Sequence, residues 1–505
     1  ENAIIGSGGA GGIITLDSVV ANMVTLASFS GTYTLSGGSL TVQSDLATAS
    51  SAGNVTVDTP IGGGGAIIQS SPNTLTLSGA NTYTGGTMVN AGTLVAISNS
   101  AVSAGTSYSV AGGATFRLTG STGAYYTWPA STVTGAGTLS MPLGGAIPVC
   151  PNLNLGGFTG IWEITNGNLC VTPYFTPSFV SPTNGTIKVE NYTTLYLGWE
   201  GGTLNSTVQL YGGNDDGEGY GQLRVEQGDQ LYGTVVLETN STIGSGGGVG
   251  YINAVISDGG KGYGFATLAT GTVTLTAANT YSGPTTISAG TLLVNNTSGS
   301  GTGTGEVTIN GGTLGGTGAI AGTLTNNAGG TLAPGSSGAG TLTLNGNLVL
   351  NAGSTNLFAV NGAPPANTSV ALHGGSVTYG GVLQVVPSGT FTNGQKFTLF
   401  SGAGAVSASN FSSLVADAGA GTSFTFTNGI LTAAVTGPSL PATLTNRVSG
   451  GMLTLSWPAG QSWRLQQQTN LLGTNWVYVT DGSVSSTDIP LDTTRGIMFF
   501  RLAYP

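Results

Sequence analysis

The densest group of side chains equipped for chemistry is the loop Gly213-Asn214-Asp215-Asp216-Gly217-Glu218-Gly219, followed closely by Glu226 and Asp229. Hard cations such as Ca²⁺ take about six to eight oxygen ligands, and a glycine-rich loop can supply several of them. Asp215, Asp216 and Glu218 are therefore the candidate ligands of a calcium ion, which is the only cofactor the sequence suggests. The spacing is not that of an EF-hand, whose late bidentate glutamate is missing, nor that of the nonapeptide calcium repeat. A solvated acidic turn is the plainer reading of the same residues. Carboxylate pairs for glycoside hydrolysis can be drawn from Asp215, Asp216, Glu218 and Glu226. That chemistry needs a set separation through space, which adjacency in sequence does not supply.

The other reactive groups are isolated. His373 is the only histidine, and no carboxylate lies within thirty residues of it on either side, so no sequence neighbour orients it for base catalysis. It reads as a turn residue. Cys150 and Cys170 are the only cysteines, twenty residues apart, and no activating base is evident beside either. In an oxidising compartment they are expected to pair, closing a loop worth roughly 3 kcal/mol by chain-entropy reasoning; two reduced, buried thiols are the alternative. Aromatic groups at Tyr125-Tyr126-Thr127-Trp128 and at Tyr192, Tyr196 and Trp199 are of a kind that stacks on sugar rings, which makes surface glycans a candidate partner. The competing reading has them covering the protein's own surface.

The scaffold that must position these groups is unusual in composition. Of 505 residues, 89 are glycine and only 28 are charged (9 basic, 19 acidic), with a net charge of −10. The mean hydropathy of +0.23 excludes charge-driven disorder. Nine scattered basic residues form no stripe for phosphates, which argues against nucleic acid as a partner. No apolar run is long enough for a membrane-spanning helix. Starting at Glu1 without a charged and apolar leader, the chain is expected to be an exported product with its signal removed.

Internal similarity points to repeats. Residues 73–96, NTLTLSGANTYTGGTMVNAGTLVA, and residues 271–294, GTVTLTAANTYSGPTTISAGTLLV, share 13 of 24 aligned positions. Gly-Thr-Leu recurs eight times between Gly92 and Gly340. Within one unit, Thr74-Leu75-Thr76-Leu77 alternates polar and apolar as a half-buried strand does, and Gly-Asn clusters turn the chain. Short strands separated by glycine corners, at about 20–25 residues per circuit, make the coils of a parallel β-helix. Asn81 and Asn279 sit where a stacked asparagine can bond along the helix axis, or where a plain turn residue would serve.

These motifs resemble the autotransporter-associated β-strand repeat of bacterial surface proteins, whose pattern runs close to GTLTLSGANTYTGGTTVNAGTL; residues 311–350 look like the terminal coils of that family. The resemblance implies a β-helical passenger that is secreted or displayed at the cell surface. Members that export themselves end in a membrane β-barrel. The seventy residues after 435 lack the lipid-facing alternation of such strands, so no barrel is expected within this sequence.

The fold class expected is all-β: a parallel β-solenoid with a small C-terminal antiparallel β-sandwich. Charge divides it. Residues 1–160 hold 5 charged residues, 161–261 hold 13 and 262–435 hold 3. The first and third stretches read as N- and C-terminal solenoid. The middle one reads as a charged, aromatic-rich region continuing or inserted in it. Gly437-Pro438-Ser439-Leu440-Pro441 is a linker, and 436–505 forms the sandwich.

Function follows from the lack of charge. Solenoid ends template further strands unless guarded, usually by charges, and this chain has few. Ala3-Ile4-Ile5, on a glycine tether, forms an apolar segment suited to adding a strand to a neighbouring subunit. The expectation is a non-enzymatic structural protein that self-associates end to end into an extracellular fibre. The alternatives are a monomeric glycan-binding adhesin and, third, a polysaccharide-degrading β-helix enzyme.

Overall fold

The computed structural model describes residues 1–103, 105–119, 130–149, 152–171, 179–198, 201–213, 217–336, 338–407, 410–417, 421–435, 442–459, 463–469, 474–491 and 496–503. They contain no α-helix. Two compact units are present. The first comprises 1–358, 368–384 and 400–413, and the second 359–367, 385–399 and 414–505.

The first unit is a parallel β-solenoid of about 15 turns. In the coil built by residues 73–96, the strands Thr74–Leu77, Thr87–Val89 and Thr93–Ala96 bury every second side chain. The strands Thr272–Leu275, Thr285–Ile287 and Thr291–Val294 repeat the arrangement. Parallel in-register pairing stacks like positions from coil to coil. One interior column runs Val55, Leu75, Leu94, Phe116, Leu139, Trp162, Ile187, Val208, Val235 and Ile256. Every member is at most 1% exposed. Each fully buried aliphatic or aromatic side chain contributes about 1.5–3 kcal/mol, so this column alone is a large share of what holds the coils together.

The repeat motif explains how the corners close. Asn81 Oδ1 accepts from the Ile61 amide of the preceding coil at 2.9 Å, and its Nδ2 donates to the Ala101 carbonyl of the next at 2.9 Å. Asn279 does the same with the Ile256 amide (2.8 Å) and the Gly301 carbonyl (2.6 Å). Both asparagines are axial clamps and not plain turn residues. Tyr83 and Tyr281, two residues later, are fully buried and bond Thr87 at 2.7 Å and Thr285 at 2.5 Å. Glycine is required at Gly85 and Gly283, where a Cβ would lie 2.4 Å and 2.3 Å from the backbone of the preceding coil.

The strands Asn2–Ile5 and Gly12–Leu16 form the outermost coil. Asn2–Ile5 pairs in parallel with Val19–Leu26, and Gly12–Leu16 with Thr32–Gly37. Their inward positions Ala3, Ile5, Ile14 and Leu16 are only half-buried, whereas Val24, Leu26 and Leu35 in the next coil are at most 1% exposed.

The second unit is antiparallel. Ile430–Val435 pairs with Lys396–Thr398 and with Thr422–Thr427 through a turn at Asn428-Gly429, both at positive φ (47° and 84°). The parallel ladder therefore ends before residue 435. Two further three-stranded sheets follow. Thr445–Ser449, Met452–Ser456 and Ser486–Pro490 form one; Val477–Tyr478, Arg464–Gln468 and Phe499–Ala503 form the other. Leu455, Trp457 and Leu465 are their shared core, which is the small antiparallel sandwich expected from sequence. The Gly437–Pro441 linker lies outside the described residues.

Candidate functional site

The charges of the middle stretch converge on Arg224. Strand alternation directs Leu223 and Val225 into the core and Arg224 outward, and register places it beside Tyr196 of the preceding coil. Outward here does not mean exposed, because the Arg224 and Glu226 side chains are only 13% and 3% accessible. Glu218 and Tyr220, from the turn before the strand, fold back over the sheet. Arg224 Nε donates to Glu226 Oε1 at 2.6 Å and Nη1 to Glu218 Oε2 at 2.8 Å. Its guanidinium lies between the Tyr196 and Tyr220 rings, 4.1 Å and 4.0 Å from their centroids.

The carboxylates around it are occupied. Glu226 also accepts from the Gly246 amide through Oε1 and from the Tyr196 hydroxyl through Oε2 at 3.3 Å. Glu218 Oε2 takes a further bond from Asn168 Nδ2 at 3.2 Å. Burial works against the arginine's charge, but bonding to Glu226 and the nearby carboxylates outweigh it and raise its pKa. The arrangement buckles the turn onto the sheet and commits both oxygens of Glu226 to hydrogen bonds.

Two other carboxyl groups are buried nearby in sequence. Asp229 is 1% exposed; Oδ1 accepts from the Gly202 amide, and Oδ2 has no hydrogen-bond partner among the described residues. Burial chiefly, opposed by the Gly202 bond and reinforced by the Glu226 charge, pushes it up to about 6. Asp258 is equally buried but well served, accepting from the amides of Gly260 (2.9 Å), Gly262 (2.7 Å) and Tyr263 (3.0 Å) and from the Ser282 hydroxyl (2.7 Å). Burial raises its pKa, and these bonds more than reverse that, holding it down at about 2.

The remaining ion pairs lie in the same stretch. Lys188 bridges Glu163 (3.0 Å) and Glu190 (2.5 Å) and lies over the Tyr211 ring, and Lys261 meets Glu238 at 2.5 Å. Among the described residues, every ion pair falls between Glu163 and Lys261.

Comparison with known families bears on the frame that holds this cluster. A family model of the passenger-associated-transport repeat matches residues 67–96 and 270–294, the two coils with the asparagine clamps. The two matched coils and the β-solenoid around them fit an autotransporter passenger-type β-helix. The repeat implies an extracellular or surface-displayed protein. No curated protein matches the chain.

On this β-solenoid the residues singled out from sequence fall as follows. Ala3, Ile4 and Ile5 lie in the outermost strand, paired with Val24, Thr25 and Leu26 of their own fold, with Ile4 exposed. Asp215 and Asp216 lie outside the described residues, and Glu218, the third candidate calcium ligand, is bonded to Arg224 and Asn168. Cys170 is buried at the end of strand Ile161–Cys170, and Cys150 lies outside the described residues. His373 sits exposed at a turn with Nδ1 3.0 Å from Asn345 Oδ1. Of the aromatic group Tyr192, Tyr196 and Trp199, only Tyr192 is exposed among the described members. Tyr196 is buried under Arg224 and offers no face to a sugar, while Trp199 and Tyr125–Trp128 are outside the described residues.

The Arg224 cluster is the grouping of charges that the sequence alone does not bring together. Alternation in Gln222-Leu223-Arg224-Val225-Glu226 places Arg224 and Glu226 on one face, and that much was available. The cover came from Tyr196, 28 residues earlier, and only the coil register supplies it.

Proposed function

We propose that this passenger is a non-enzymatic structural protein that assembles end to end into an extracellular fibre by adding strands at its outermost coil. The observation that carries this reading is the edge formed by Asn2–Ile5 and Gly12–Leu16. Each strand is paired on one side only among the described residues. Ala3, Ile5 and Ile14 are partly exposed where their counterparts one coil deeper, Val24, Leu26 and Leu35, are sealed, and Ile4, Ile13 and Val20 stand 72%, 76% and 68% exposed. An edge of unpaired N–H and C=O groups beside apolar side chains accepts a further strand, and no lysine or proline guards it. Because Asn2–Ile5 is already paired in its own fold, Ala3, Ile4 and Ile5 act as the acceptor edge, and a neighbour's strand continues the solenoid. A calcium requirement is not part of this reading.

Electron microscopy of purified protein tests it. Fibres are expected, and an Ile4→Pro variant, which removes a backbone donor from the edge, is expected to remain dispersed. Dispersed wild-type molecules at all concentrations would sink the proposal.

A further inference from the structure

We infer that the lateral face of the solenoid around Tyr232 and Tyr251 is a binding surface for neutral glycans. Threonine recurs at outward positions of other coils, as at Thr74, Thr76, Thr93 and Thr272, since a β-branched, uncharged side chain suits a solvent-facing strand. At two consecutive coils this pattern is broken by rings. Tyr232, on strand Gln230–Leu237, and Tyr251, on strand Val249–Ile252, are 40% and 36% exposed. Their register neighbours in the adjoining coils are Asn205 and Thr274, so the fold accepts small polar residues at both places. An exposed ring adds nothing to the core.

Register also fixes how the rings are disposed. Tyr251 pairs with Gln230, and Tyr232 stands two residues further along the same strand on the same face. With an inter-strand spacing of about 4.8 Å and a rise of about 3.3 Å per residue, their backbones lie diagonally about 8 Å apart. Two rings at that separation on a flat face match successive sugar rings of a chain, whose apolar faces stack on aromatics.

The polar groups between the rings are already ordered. Tyr232 Oη donates to Gln230 Oε1 at 2.7 Å, Asn253 Nδ2 donates to the same oxygen at 3.1 Å, and Thr276 Oγ1 donates to Asn253 Oδ1 at 2.6 Å. This chain of bonds spans three coils and leaves the Gln230 Nε2 donors without a partner among the described residues. Side chains held in place before binding lose little entropy on binding. Fixed amide donors beside stacking rings are what sugar hydroxyls require. The two outward columns contain Thr203, Gln230, Tyr251 and Thr274 in one and Asn205 and Tyr232 in the other, with no charge among them. The class is therefore a neutral glycan and not a uronate or sulfated one. This surface is on the side of the solenoid and is independent of end-to-end assembly.

The test is a glycan array carrying neutral, uronate-containing and sulfated oligosaccharides, probed with the whole chain and with the double variant Tyr232→Asn/Tyr251→Thr. Those substitutions copy the register neighbours, so the coil is retained, and an unchanged circular dichroism melt checks this. Binding to neutral glycans with at least a tenfold loss in the double variant is the expected result. A Tyr232→Phe variant, which keeps the ring and loses the bond to Gln230, should lose less. No neutral glycan bound, binding confined to acidic glycans, or binding undiminished in the double variant would each overturn the inference.

Discussion

Arg224 and Glu226, two residues apart on one outward face, are joined Nε to Oε1 at 2.6 Å while the Tyr196 hydroxyl holds the other oxygen of Glu226. The pair is buried on the outside of the sheet, beneath the turn that carries Glu218 and Tyr220. Arg224→Ala leaves the Glu226 carboxylate buried and uncompensated, at a local cost of about 3–5 kcal/mol. Proteolysis near Gly219 and loss of hydrogen-exchange protection at the Gly246 amide are the expected readouts. The double variant Arg224→Met/Glu226→Gln, which removes both charges, should lose much less. Equal damage from single and double variants would show that the pair is not what holds the turn.

The asparagine clamps give a second prediction. Asn81→Ala and Asn279→Ala each strip partners from one buried amide and one buried carbonyl, with an expected cost of about 2–4 kcal/mol. A solenoid does not unfold as one unit, so the loss should be local. Hydrogen exchange is expected to accelerate at the Ile61 amide in the first variant and at the Ile256 amide in the second, with each distant repeat unaffected. Asn81→Asp keeps the acceptor and should preserve protection at Ile61 better than alanine does.

The two buried aspartates respond to pH with opposite signs. Asp258 is held at about 2, below its unfolded value, so its contribution is fully present above about pH 4 and is lost as pH falls toward 2. Asp229 is raised to about 6, so the folded chain holds its proton more tightly and ionisation costs stability. That cost is absent below about pH 4, grows between about pH 4 and 6, and is constant above, at roughly 2 kcal/mol after solvent screening. Asp229→Asn keeps an acceptor for the Gly202 amide and should stabilise the protein at pH 7 while changing little at pH 4. Asp258→Asn should destabilise at pH 7 and flatten the acid limb. Thermal melts followed by circular dichroism from pH 3 to 8 read both.

The cysteines give a fourth. Cys170 is buried, and two cysteines twenty residues apart in an exported chain are expected to pair. Mass spectrometry after alkylation in denaturant without reductant should find no labelled thiol, and labelling of both residues would exclude the bond.

Much of this protein is written in local pattern. The strand alternation of Thr74–Leu77, the glycine corners and the recurrence of the Asn-Thr-Tyr motif specify a coil, because period-two burial and close backbone approach act over a few residues. The strands at Met452–Ser456, Arg464–Gln468 and Phe499–Ala503 were legible for the same reason. The end of the parallel ladder before residue 435 was not, since composition barely changes where parallel pairing gives way to antiparallel.

By itself, then, the sequence determined the repeating coil, its buried stripe and the uncharged face that a passenger presents. The tertiary structure decided which residues of different coils meet. Tyr196 became the buried lid of Arg224 instead of a sugar platform, Tyr232 and Tyr251 became neighbours, and Asn81 and Asn279 became clamps. The physical reason is that contacts between coils join residues some 20 to 30 positions apart, and their pairing depends on the accumulated length of every intervening corner. A strand's period says which way a side chain points, and only the register says what it points beside.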